Sequence, residues 1–84
     1  MWRGATDDQE ATMLTTEQII TYCEREIAAR YLAGEQEQLR RMQLALAVLA
    51  SAADDVGDRD TAMRFRVLAA KSANHQEALA GNDD

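Results

Sequence analysis

Residues 39–57 read LRRMQLALAVLASAADDVG. Within them Leu39, Met42, Leu46, Leu49, Ala53 and Val56 alternate three and four residues apart, which puts them on one side of an α-helix as a heptad-like stripe. Leucine, alanine, methionine, glutamine and arginine, which fill most of the stretch, are strong helix formers. Glu35 and Glu37 lie just ahead of the stripe, where acids complement the positive end of the helix dipole. Gly57 closes it, because glycine accepts the left-handed conformation that ends a helix. A helix is predicted over about 35–56.

Toward the N-terminus, Thr15 and Gln18 form a capping box, and Leu14 and Ile19 stand where a hydrophobic staple would. The helix they start is predicted over about 16–33, with Thr16, Ile20, Cys23, Ile27 and Tyr31 on one face and Gly34 as its stop. The apolar phase does not carry across Gly34, which argues for a turn. The alternative is one kinked helix from Thr16 to Val56, since glycine within a helix costs only about 1 kcal/mol. Beyond Gly57, Asp58 or Asp60 caps a third helix over about 59–80, with Ala62, Phe65, Leu68, Ala69, Ala73 and Leu79 inward and Gly81 as its close.

The expectation is therefore an all-α protein with a single helical domain at 13–80. It is a three-helix bundle of antiparallel helical hairpins, the second helix central. Residues 1–12 are polar and aperiodic, with Trp2 alone among them, and are expected to form a disordered arm. Residues 81–84 read as a frayed acidic tail.

Composition agrees. The 84 residues contain no proline, 5% aromatics and more alanine than any other residue, which favours helices over strands. A chain this short buries only about 60–65% of its unfolded surface, so its core is thin. Small domains lean on disulfides, a metal or self-association. Cys23 is the only cysteine, so no intrachain disulfide forms. The net charge of −6 disfavours direct nucleic-acid binding. The longest apolar run, Leu44–Ala50, is too short to span a membrane. A cytoplasmic location is expected. The richness in alanine and arginine, with Lys71 the only lysine, hints at a bacterial or phage genome.

Residues that carry chemistry elsewhere find bland roles here. Cys23 lies between Ile20 and Ile27 on its face, where burial raises a thiol pKa rather than activating it. His75, beside Asn74 and Glu77, reads as a solvated surface histidine. The acids of 54–60 lack the ligand order of a calcium loop and fit helix capping instead. Glu24, Glu26, Glu35 and Glu37 read as solvated faces partly paired with Arg25, Arg30, Arg40 and Arg41. Arg40–Arg41 and Arg64–Arg66 are too surrounded by acids to make a recognition helix. No catalytic residue, cofactor or metal site is assigned, and the protein is not expected to be an enzyme.

Leu49, Ala50, Gly57, Asp58, Ala62 and Ala69 resemble the small-residue and turn positions of a tetratricopeptide repeat, a helical pair that presents a groove to peptides or partner proteins. The resemblance covers about Met42–Ser72. Arg66 stands where that family has an aromatic, no proline ends the unit, and no second repeat is visible.

Each helix also carries apolar residues off its main face: Tyr22 and Leu32, then Leu44 and Val48, then Met63 and Val67. These six are the predicted partner interface, since contiguous exposed apolar patches mark interaction sites. If the second helix were wrapped on both sides, they would instead be ordinary core. The expected function is a non-enzymatic protein–protein interaction module, such as an adaptor, antiactivator or assembly subunit, self-associating as a homodimer. The alternative is a small acidic, phage-encoded inhibitor that blocks a nucleic-acid-binding surface of its target.

Overall fold

A computed structural model describes residues 13–81. It contains three helices: α1, Thr16–Leu32; α2, Gln36–Asp55; and α3, Arg59–Gly81. The described residues hold no strand. The arm expected at 1–12 and residues 82–84 of the acidic tail lie outside the described residues.

The helix ends follow from local chemistry. Thr15 caps α1 in a full capping box: its hydroxyl accepts from the Gln18 N–H at 3.1 Å, and its own N–H donates to the Gln18 side chain at 3.0 Å. Leu14, expected to staple onto Ile19, is exposed. The two turns repeat one device. Gly34 (φ 72°) and Gly57 (φ 84°) are left-handed. Gly34 N–H donates to Tyr31 O at 3.0 Å and Glu35 N–H to Arg30 O at 2.9 Å. Gly57 N–H donates to Asp54 O at 3.0 Å and Asp58 N–H to Ala53 O at 2.9 Å. These are paired Schellman bonds, and they make Gly34 a true turn rather than a kink in one long helix.

The residue after each glycine opens the next helix. Asp58 caps α3, its carboxylate accepting from the Thr61 N–H at 3.2 Å and hydroxyl at 2.8 Å. Glu35 offers α2 no side-chain cap. Its carboxylate turns back to Arg30 at 2.8 Å, so backbone and side chain of Glu35 both hold the same residue of α1. At the far end α3 continues through Gly81, which is not left-handed, so the expected glycine stop does not occur there.

Cross-helix contacts set the topology. Gln36 meets Gln76, Leu39 meets Ser72, and Asp54 meets Arg66, so α2 and α3 run antiparallel. Glu17 meets Arg64 and Tyr31 meets His75, so α1 runs parallel to α3. α2 and α3 form the closest pair, and α1 packs against both. Each helix thus touches the other two. The expectation that α2 is central is corrected: α1 lies in the groove of the α2–α3 hairpin, and the back of α2 stays open.

Ile20, Cys23, Ile27, Leu39, Leu46, Ala50, Phe65 and Leu68 form the core cluster. Full burial of side chains the size of Ile27, Leu39 and Leu46 is worth roughly 1.5–3 kcal/mol each. Ala50, Ala53 and Ala62 are buried as well, and their small side chains let α2 and α3 approach closely near the turn. Two expected core positions fail. Val56 is 77% exposed because it is the C-cap of α2, beyond the last packed turn. Thr16 is exposed at the first turn of α1. Ser72 was not expected inside, yet it is fully buried, its hydroxyl donating to Leu39 O at 2.6 Å. That bond satisfies the one polar group α3 sends into the core.

The turn geometry yields a stability prediction. Gly34→Ala and Gly57→Ala should each destabilise by about 1–2 kcal/mol, the cost of a left-handed conformation for a residue with a Cβ. Beyond the adjoining residues no atom lies within 4 Å of the added methyl at either site, so tertiary crowding contributes nothing. Asparagine, which tolerates that conformation, should recover part of the loss. Urea denaturation followed by circular dichroism measures all three, and an unchanged midpoint for both alanine variants contradicts the account.

Candidate interaction surface

All six side chains predicted for the partner interface lie more than half exposed. They do not form one patch. Leu44 and Val48 stand one turn apart on α2, about 150–170° around the axis from the middle of the buried stripe of Leu39, Leu46, Ala50 and Ala53. Met63 and Val67 stand one turn apart on α3 and edge a groove against α1. Tyr22 and Leu32 belong to neither strip. They lie about 15 Å apart along α1, and Leu32 is 85% exposed at its last position.

The groove beside Met63 and Val67 is completed by Ile20 and Glu24 of α1 and by Arg64 and Leu68 of α3, and it encloses roughly 200 Å³. Small-molecule sites commonly hold about 300–1,000 Å³. A furrow of this size takes a side chain or two rather than a substrate. Sequence periodicity could not reveal it, because it depends on which turn of α1 meets which turn of α3. The Glu17–Arg64 pair spans the two helices just beside it, Arg64 donating to both carboxylate oxygens, one bond at 3.0 Å.

The arginines around these strips are already engaged. Arg64 holds Glu17, Arg66 holds Asp54, and Arg40 and Arg41 share Glu37 at 3.7 and 3.6 Å. None of the four stands as an unpaired cation toward a phosphate backbone. Such exposed pairs are screened by solvent and salt, so they shape local charge more than stability. Arg30 is the exception in setting. Its Nη1 meets Glu35 at 2.8 Å, while its buried Nε has no hydrogen bond and faces Glu26 at 3.7 Å.

The residues weighed for chemistry are kept apart. Cys23 is buried, and burial pushes its thiol pKa up, with the nearby Glu26 charge adding to the effect. His75 is half-buried rather than solvated, stacked on Tyr31 with ring centroids 4.0 Å apart and planes 11° from parallel. Tyr31 lies about 12 Å along α1 from Cys23, so that stacking holds the imidazole away from the thiol. Among the described residues no cluster of His, Cys, Asp and Glu is placed to hold a metal ion. No helix among them is long and apolar enough to cross a membrane.

Two predictions follow from these side chains. Arg64 holds the Glu17 carboxyl below its ordinary value of 4.5, and the Thr61 hydroxyl and N–H hold Asp58 below 3.8. An acid depressed in the folded state adds stability above its unfolded pKa and loses it as pH falls through the folded one. Unfolding free energy should therefore decline as pH drops below about 5, and a Glu17→Gln/Asp58→Asn chain should show a shallower decline; parallel curves for the two proteins contradict the assignment. Cys23 should react with iodoacetamide at pH 8 about 100-fold or more slowly in the native chain than in urea, because a buried, protonated thiol waits for opening. Equal rates would place it at the surface.

No protein-family model, curated protein or solved structure matches the chain, so its function is read from its own surface.

Proposed function

We propose that the protein is a non-enzymatic interaction module that docks other protein surfaces through exposed apolar helix faces. One observation carries this reading: the core closes with Ile20, Ile27, Leu39, Leu46, Phe65 and Leu68, while Leu44, Val48, Met63 and Val67 remain over half exposed in two i, i+4 pairs. Single exposed apolar residues are normal on any protein. Paired ones on adjacent turns of two helices, in a chain this small, are the pattern of docking faces. Burying such a pair against a partner is worth a few kcal/mol before the cost of association. Adaptor, antiactivator and assembly-subunit roles all use this mechanism.

The acidic-inhibitor alternative draws its support from the net charge of −6. It needs a line of carboxylates free to imitate phosphates; Glu17, Glu26, Glu35, Glu37 and Asp54 are paired with arginines, and the carboxylates without an ion pair among the described residues, Glu24, Asp55, Asp58, Asp60 and Glu77, are spread over all three helices and the second turn. The apolar strips therefore support the module reading better.

The test uses the whole chain with Leu44→Glu/Val48→Glu and, separately, Met63→Glu/Val67→Glu. Self-assembly by sedimentation, and binding to any purified partner by calorimetry, should fall at least tenfold for one or both variants, with helicity unchanged by circular dichroism. Loss of helicity would return those residues to the protein's own core. Binding that survives both variants but collapses between about 0.05 and 0.2 M salt would favour the inhibitor.

A further inference from the structure

The outer face of α2 is self-complementary about Val48. Leu44 and Ala52 lie four residues to either side of it, and Arg41 and Asp55 seven. All lie within about 60° of the Val48 direction on the helix, and all are exposed. We propose that this face takes a second copy of the chain in an antiparallel α2–α2 contact, with Val48 at the twofold axis. The proposal rests on reading the Leu44–Val48 strip as an interface, and it commits that strip to one occupant.

The chemistry of the seam selects both the occupant and the direction. In the antiparallel arrangement Val48 meets its own symmetry mate, and each Leu44 projects over the partner's Ala52. Ala45 and Ser51, three residues either side of Val48, are also small and exposed, so the two helices can close to the short end of the usual roughly 8–10 Å spacing. The three-and-four spacing of Arg41, Leu44, Val48, Ser51 and Asp55 suits knobs-into-holes packing. At each end Arg41 of one copy reaches Asp55 of the other. A parallel pair would set Arg41 on Arg41 and Asp55 on Asp55, repelling at both ends.

The free chain leaves Asp55 available and engages Arg41 only through a long contact at the surface. Asp55 has no ion pair among the described residues, and Arg41 reaches only the exposed Glu37 at 3.6 Å. A symmetric contact also uses the same surface twice, so one strip suffices. A single helix face buries less than the roughly 800 Å² per partner of a standard interface. The dimer is accordingly expected to be weak and to dissociate on dilution. The Met63–Val67 groove on α3 stays free for a different protein.

Sedimentation equilibrium of the full chain tests this, with helicity checked for every variant. The wild type should show a concentration-dependent dimer. Val48→Glu, which sets two carboxylates against each other on the axis, should remain monomeric. Arg41→Asp and Asp55→Arg should each weaken the dimer about tenfold, and the double swap should restore it, because only an antiparallel seam regains both pairs. Val48 is exposed, and the charge swaps avoid the core, so the variants should fold. A wild type that is monomeric up to about 1 mM, a dimer indifferent to Val48→Glu, or single swaps that the double swap does not rescue would each overturn the seam. Assembly lost only with Met63→Glu/Val67→Glu would overturn it too, while leaving the interaction-module reading standing.

Discussion

Two left-handed glycines govern this fold. Helical propensity alone would let the alanine- and leucine-rich chain run on as one rod, and the alternative of a continuous helix through Gly34 shows how close that outcome lies. The positive φ at Gly34 and Gly57 prevents it. Each turn uses the glycine and the acid after it to tie off carbonyls of the finished helix. Once the chain has reversed twice, the apolar stripes have little choice but to face one another. The turns are built from local bonds, and the Arg30–Glu35 pair crosses the first of them at 2.8 Å.

Most of this architecture was legible in the sequence because it rests on local signals: the Thr15–Gln18 box, the glycine stops, the three-and-four stripes. Where the reading failed, the determining contact was distant in sequence. Ser72 was not among the residues read as the inner face of the third helix, yet the Leu39 carbonyl across the hairpin gives its hydroxyl a partner and allows it inside. His75 looked solvated until Tyr31, on another helix, supplied a stacking surface. Val56 fitted the stripe by spacing but fell past the end of the helix that would have buried it. The position of α2 was misjudged for the same reason, since periodicity ranks faces within a helix but does not say which neighbour each face meets.

The surface followed the same division. The strips Leu44–Val48 and Met63–Val67 were visible as apolar residues out of phase with each main stripe, and the structure leaves them exposed. Their separation, and the groove that Ile20 and Glu24 add to the second, were not visible, because the first depends on how α2 packs on α3 and the second on how α1 settles on that hairpin. The resemblance to a tetratricopeptide unit has a similar origin. Ala50 and Ala62 are buried in the α2–α3 hairpin, and Gly57 turns the chain, but Arg66 stays at the surface holding Asp54. Those positions answer the needs of a tight helical hairpin and carry no further family signature.

Charge limits how such a molecule can meet another copy of itself. At −6 per chain, two copies repel at long range. At physiological ionic strength that repulsion fades beyond a Debye length of about 8 Å. Attraction must then come from contacts shorter than this, which means apolar burial with charges placed one against one. The proposed α2 seam would have that form, with Leu44 and Val48 covered and Arg41 and Asp55 at its ends. In the proposed contact the self-complementary order along the helix would matter more than the strip's modest area, because it would let a strongly acidic protein accept its own surface without opposing Arg41 to Arg41 or Asp55 to Asp55.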